Sequence, residues 1–178
     1  MTEKVRVATL NDEPEILRLL HVMHSESGMM PLDELCAHEF FSRAFEKRGG
    51  IIGVLGEPGN IQAMIYLLIT RFWYTKEHHL EECFNFVRPD MRKTNHARKL
   101  IAFAKECSDT LKLPLVIGVL TNNRMEGKVR LYRRSLGIPA GAFFVYGANW
   151  TVADASNEDF WRAPFKERRR SNGVNEHV

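Results

Sequence analysis

Phe86-Val87-Arg88-Pro89-Asp90-Met91-Arg92-Lys93-Thr94-Asn95-His96-Ala97 is the stretch on which the reading of this 178-residue chain turns. The residues from Leu80 to Val87 read as a strand, and Pro89, which has no N–H to give a ladder, marks a turn after it. Beyond Asn95 the apolar positions Ala97, Leu100, Ile101, Ala104 and Leu111 fall on one face of a helix. The order is therefore strand, turn, polar loop, helix start. The first N–H groups of a helix lack intrahelical acceptors, and the helix dipole adds positive potential, so such a junction suits an anion. Between Arg88 and Lys105 stand Arg88, Arg92, Lys93, Arg98, Lys99 and Lys105 against Asp90 alone. A solvated helix face is the plain alternative, but the position of the cluster at a strand–helix junction points to a discrete anionic ligand, with pyrophosphate the natural tenant.

Working outward, Pro114 and the apolar run Leu115 to Leu120 follow that helix as a strand covered on both faces. Strand 80–87, helix 96–111 and strand 115–120 make one βαβ unit, so the two strands are expected to be parallel neighbours. Ligands of open α/β sheets sit at the carboxyl ends of such strands, where the basic cluster begins. Upstream, Val5–Ala8 is a short strand, and Asn11-Asp12-Glu13-Pro14 opens a helix carrying Ile16, Leu19, Leu20 and Met23. A second helix fits 32–47 and stops at Gly49-Gly50, before strands at 51–55 and 61–74 joined by the turn Glu57-Pro58-Gly59-Asn60. Downstream come a helix over 125–136 stopped by Gly137 and a last strand at 142–146. The fold class is α/β: a mixed, mostly antiparallel central sheet with one parallel βαβ unit and helices on both faces.

Composition narrows the class further. Hydrophobic residues at 44% and charged ones at 26% belong to a globular chain with a real core, not to a disordered or collagen-like one. No apolar run approaches the ~20 residues that span a bilayer, and Met1 to Arg6 lacks the apolar stretch of a secretory signal. Cys36, Cys83 and Cys107 are odd in number and flanked by apolar residues, so they read as buried thiols in a reducing compartment, and a cytoplasmic location is expected. The net charge of +3 lies wholly after Trp161, where Arg162, Lys166, Arg168, Arg169 and Arg170 face Glu167 and Glu176. Residues 1–160 are expected to form one domain and 161–178 a basic, disordered tail, a solubilising terminus more readily than a nucleic-acid arm.

The combination of segments resembles the GNAT (Gcn5-related N-acetyltransferase) superfamily. Its acetyl-CoA loop reads Arg/Gln-x-x-Gly-x-Gly/Ala after a strand ending Val-x-Pro; here stand Val87-Arg88-Pro89 and Arg92-Lys93-Thr94-Asn95-His96-Ala97. A later helix with a Leu-Tyr pair and a closing Gly is matched by Leu131-Tyr132-Arg133-Arg134-Ser135-Leu136-Gly137. The Asn-His-Ala form of the loop is similar to phage-encoded members. Asn95 departs from the family, which places Gly there so that backbone can approach phosphate. The resemblance, covering about residues 5–147, implies acetyl transfer from acetyl-CoA to an amine in a ternary complex. It implies pantetheine on backbone groups of Asn85, Phe86 and Val87, and pyrophosphate at the loop Arg92, Lys93, Thr94, Asn95, His96, Ala97 and Arg98. Through it Glu81, with its neighbour Glu82 as the alternative, is the expected base for the amine, and Tyr132 the acid for the thiolate. A strand bulge supplying an oxyanion donor is also implied. No metal is called for. A GNAT-fold binding module without transfer, touching nucleic acid or a host protein through its basic face, is the second reading, and Asn95 favours it. A homodimer is left open.

Other signals are weaker. His21 and His24 share a helix face with no third ligand in view, which makes a partly exposed pair more natural than a metal site. His78-His79 read as surface residues at a strand start. Phe72-Trp73-Tyr74 read as core, with an acceptor-pocket wall as the minority view.

Overall fold

A computed structural model describes residues 4–121 and 124–144. The end of the expected last strand, the domain boundary at 160 and the basic tail 161–178 lie outside the described residues. The chain divides into two compact units, Met1–Gly118 and Val119–Val178.

The first unit is a five-stranded sheet with helices on both faces. In chain order its elements are β1 (Arg6–Val7), α1 (Glu13–Ser27), α2 (Glu34–Phe45), β2 (Gly50–Leu55), β3 (Ala63–Thr70), β4 (His79–Val87), α3 (His96–Leu111) and β5 (Leu115–Val116). The strands lie in the order β1-β2-β3-β4-β5, all antiparallel except the parallel β4/β5 pair. The βαβ unit expected from the sequence is therefore present. Asn60 N–H closes the β2–β3 connection on Glu57 O at 2.9 Å, with Pro58 second and Gly59 at φ +80° third, the residue pattern of a type II turn.

Strand β3 shows how both faces are filled. Ala63, Met64, Ile65, Tyr66 and Leu67 are all fully buried. Met64 and Tyr66 join Ile16, Leu19, Phe41, Ile52, Val54 and Phe86 in the core under α1 and α2. Ala63, Ile65 and Leu67 join Leu55, Leu80, Leu100 and Ala104 in the core under α3. On the first face the Tyr66 ring meets Phe40, Phe41 and Phe84 at centroid distances of 4.6, 6.1 and 5.8 Å, and its hydroxyl donates to Phe40 O at 2.8 Å. Burial pushes that phenol up to about 12. On the other face Gly53 admits α3: a Cβ there would lie 2.5 Å from the Phe103 ring.

Asp12, read from the sequence as part of a helix start, has a larger role. It is completely buried, receives both Arg6 guanidinium nitrogens at 2.6 and 2.7 Å, and accepts from Thr9 N–H at 2.8 Å. The Arg6 hydrogen bonds, which outweigh the opposing desolvation, lower its pKa to about 2. This corner ties β1 to the entry of α1.

Three expectations need correction. The run Leu115–Leu120 pairs with β4 only at Leu115 and Val116, because the two strands part there. Ala142–Phe144 form no strand: Phe143 and Phe144 are exposed, and an apolar run becomes a strand only beside a partner. Nor are the thiols uniformly buried. Cys36 on α2 and Cys83 on β4 are exposed, Cys107 is half-buried, and all three are free.

In the second unit, α4 (Met125–Leu136) begins after Arg124 at φ +57°. It ends at Gly137, whose φ of +98° only glycine adopts readily and whose N–H returns to Arg133 O at 3.1 Å.

Candidate functional site

β4 carries one residue too many for its partner. Tyr66 lies opposite Phe84 and Leu67 opposite Glu82, so Cys83 is inserted as a bulge. The insertion reverses the side-chain alternation. Leu80 packs under α3, which turns Glu81 to the α1/α2 face; beyond the bulge it is Phe84 and Phe86 that pack on that same face, and Val87 that packs under α3. The bulge also coincides with the parting of β4 from β5, whose last pair is Glu81–Val116. A wedge opens between the strands at that level.

The backbone phase decides what lines the wedge. Arg88 N–H donates to Gln62 O at 2.9 Å, and Ala63 lies opposite Val87. In an antiparallel ladder this aims the polar groups of Phe86 and Phe84 at β3, and those of Asn85 and Val87 at the open side. Of the three residues expected to hold pantetheine, Asn85 and Val87 present backbone there, while Phe86 spends its own in the sheet and buries its ring in the core.

The loop after β4 is built by internal contacts. Arg88 grips Asp90 through two nitrogens at 2.7 and 3.0 Å and Asn60 Oδ1 at 2.8 Å, fixing the turn to the β2–β3 connection. Thr94 Oγ1 donates to Met91 O at 2.6 Å and accepts from His96 N–H at 3.3 Å. Thus Thr94, not Asn95, caps the start of α3. Asn95 makes no side-chain cap and sits at φ −91°, a conformation open to any residue, so the glycine usual in the family is not demanded by backbone geometry here. His96 is buried, with Nε2 2.7 Å from Gln62 Oε1, so its side chain anchors the loop to the sheet and does not reach outward.

Two further features follow. Among the described residues, the N–H groups of Lys93, Asn95, Ala97 and Arg98 have no hydrogen-bond acceptor, and the Lys93 and Arg98 side chains are exposed. They lie where the sequence places an anion-binding element. Arg92, by contrast, is turned inward: its Nε donates to Val87 O at 3.2 Å, its Nη2 pairs with Glu26 of α1, and its guanidinium lies 5.6 Å from the centre of the Phe86 ring. Glu26 carries no motif that singles it out in the sequence; only folding brings it across 66 positions.

Glu81 is exposed on the α1/α2 face beside the bulge, and Glu82 on the opposite face is half-buried. Desolvation first, then the Glu81 and Glu82 charges, push the Cys83 thiol up to about 12 although the residue reaches the surface, the opposite direction from an activated thiolate. Tyr132 stands half-buried on α4 in the second unit.

No protein-family model matches the chain, and no curated protein matches its sequence. Solved structures do match. The ribosomal-protein-alanine N-acetyltransferase of Brucella melitensis biovar Abortus 2308 superposes with a TM-score of 0.64 at 16% identity, over 82% of this chain and 99% of that one. A GNAT family acetyltransferase of Staphylococcus aureus gives 0.58 at 13% identity, over 82% and 98%. This is the GNAT acetyltransferase fold. A predicted acetyltransferase of Clostridium acetobutylicum, solved with acetyl-CoA, also shares the GNAT fold, at 0.64 and 11% identity over 82% and 95%.

The remaining sequence signals resolve locally. Phe72, Trp73 and Tyr74 are not core: β3 ends at Thr70, and the three lie exposed in the β3–β4 connection, Trp73 at 95%. Phe72 stacks on Tyr74 and on His79, which is buried rather than on the surface. His21 contacts Glu34 at 2.7 Å and His24 the Met30 carbonyl, tying α1 to α2 and its approach. Among the described residues no group of three His, Cys, Asp or Glu is placed to hold a metal, and no helix is long and apolar enough to cross a membrane.

Proposed function

We propose that the chain is an acetyl-CoA-dependent N-acetyltransferase that passes an acetyl group directly to an amine in a ternary complex. One observation carries the reading. The outward backbone of Asn85 and Val87 beyond the Cys83 bulge runs into a loop whose Lys93, Asn95, Ala97 and Arg98 N–H groups await an acceptor. An extended amide-bearing arm suits the first element and a pyrophosphate the second. In the reaction the amine nitrogen bonds to the thioester carbon and the C–S bond breaks. Glu81 is the base that takes the ammonium proton. It lies on the α1/α2 face, and the two N-terminal helices are among the elements that set acceptor choice in such proteins. Tyr132 is the acid that returns a proton to the sulfur, a role that rests on the Leu131-Tyr132 resemblance. The acceptor is an amine of unassigned class: structures of this fold include a ribosomal-protein-alanine N-acetyltransferase and an aminoglycoside acetyltransferase, and neither acceptor is carried over.

The test is direct. At ~100-fold excess over its dissociation constant, acetyl-CoA adds about 2.7 kcal/mol of stability, a rise in melting temperature of roughly 5–10 °C for a chain of this size. No rise with millimolar acetyl-CoA or CoA removes this reading. A rise without thiol release in the presence of an amine panel selects the second one, a binding module that keeps the fold without transfer. Asn95 favours that second reading, since its exposed side chain stands among the open N–H groups where glycine leaves more room for a phosphate.

A further inference from the structure

Arg92 is the residue that a sequence motif would hand to the pyrophosphate, yet each of its contacts is made inward. Nε holds the Val87 carbonyl, the last one of β4 on the open side. Nη2 holds the Glu26 carboxylate in the last turn of α1, and the two side chains keep only 21% and 25% of their surface. The guanidinium carbon lies over the Phe86 ring, itself part of the α1/α2 core. Arg92 therefore joins the end of β4, the end of α1 and the loop that leads into α3. Glu26 is the important partner: an unneutralised carboxylate at this place would oppose any anion bound to the adjacent loop.

We propose that Arg92 is a positioning residue, not a phosphate ligand: it neutralises Glu26 and clamps Val87, while the anion is held by the N–H groups of Lys93, Asn95, Ala97 and Arg98 with the exposed Lys93 and Arg98 side chains. The proposal rests on the acetyl-CoA reading above and assigns the charge of Arg92 to a different task within it. The two roles differ in sign. A ligand arginine held back by Glu26 is released when Glu26 loses its charge. A neutralising arginine becomes unnecessary when Glu26 loses its charge.

Acetyl-CoA affinity of the full chain, measured by calorimetry for wild type, Arg92→Gln, Glu26→Gln and the double variant, separates them. The expected result is weakening of about ten-fold in Arg92→Gln, a change within about three-fold in Glu26→Gln, and recovery of most of the loss in the double variant, a coupling of the size found between contacting charges. Melting temperatures without ligand, taken alongside, show whether a loss of affinity reflects loss of fold, which recovery in the double variant excludes in any case. If Arg92→Gln does not fold, Arg92→Lys, which keeps the charge but cannot make both contacts, takes its place and should lose less than about three-fold. Tighter binding in Glu26→Gln, or a double variant as weak as Arg92→Gln, overturns the positioning role and returns Arg92 to the phosphate. If wild type itself binds no acetyl-CoA, the reading of the site and this proposal fall together; if wild type binds and only the coupling is missing, this proposal alone falls.

Discussion

The two halves of β4, His79–Glu82 and Phe84–Val87, belong to one strand and have opposite fates. From His79 to Glu82 the strand pairs with β3, and at Leu80 and Glu81 also with β5, and its carboxylates Glu81 and Glu82 stand on opposite faces. From Phe84 to Val87 it is paired on one side only among the described residues, its aromatic rings are anchored in the α1/α2 core, and its outward backbone, apart from the Val87 carbonyl that Arg92 holds, is left for something else. Cys83 divides them. Its thiol is not what matters: by bulging out of the ladder it lets Glu81, Phe84 and Phe86 share one face although an extra residue stands between them. The first half thus offers side-chain chemistry and the second offers backbone, which is the division of labour an acyl transfer needs.

Removing the divider is the harshest test of that contrast. Deleting Cys83 restores strict alternation while Tyr66 stays opposite Phe84 and Leu67 opposite Glu82, so every core side chain keeps its face and only the bulge is lost; the protein should still unfold cooperatively, while turnover falls by about 10³-fold with the oxyanion donor that the bulge would supply. A deletion variant that turns over like wild type would show that the bulge supplies nothing to the reaction. Next in size, Glu81→Gln should lower turnover by about 10²–10⁴-fold at neutral pH, with the loss shrinking at high pH as more amine is already free. Glu82→Gln, on the other face, should do little; the reverse outcome would place the chemistry under α3.

A third comparison sharpens the point by moving away from β4 altogether. Asp12→Asn leaves the partly exposed Arg6 without its charge partner and should cost about 2 kcal/mol of stability, while acetyl-CoA affinity of the folded protein is unchanged. Because the folded pKa of Asp12, about 2, lies below its unfolded value, this stabilisation is present above pH 4 and drains away as the pH falls toward 2. Acid unfolding of wild type and Asp12→Asn should therefore converge over that window, and parallel curves would contradict the assignment. The smallest effect belongs to Cys83→Ser, which keeps the residue count: stability should move by less than about 1 kcal/mol. A large loss there would give the thiol a role beyond its place in the strand.

Much of this was legible in the chain. Helical spacing, the Pro58-Gly59 turn and the alternation of β4, α3 and β5 place nearly every element of the first unit within a few residues, because each depends on local pattern and on a core that must be covered. The resemblance carried by Val87–Ala97 and by Leu131–Gly137 named the fold that the solved structures then matched. The departures share one cause. Whether Leu115–Leu120 is a long or a two-residue strand, and whether Phe72-Trp73-Tyr74 is core or surface, depends on partners that no local window contains. Sequence alone determined the anion-suited junction at the end of β4, since a proline turn, a basic loop and a helix start are local facts. Only the tertiary structure decided what each loop residue does. Thr94 caps in place of Asn95, His96 turns inward to Gln62, Phe86 gives its backbone to β3, and Arg92 reaches Glu26, because hydrogen bonds and charges are satisfied by whatever folding brings near, across 34 or 66 positions as readily as across two.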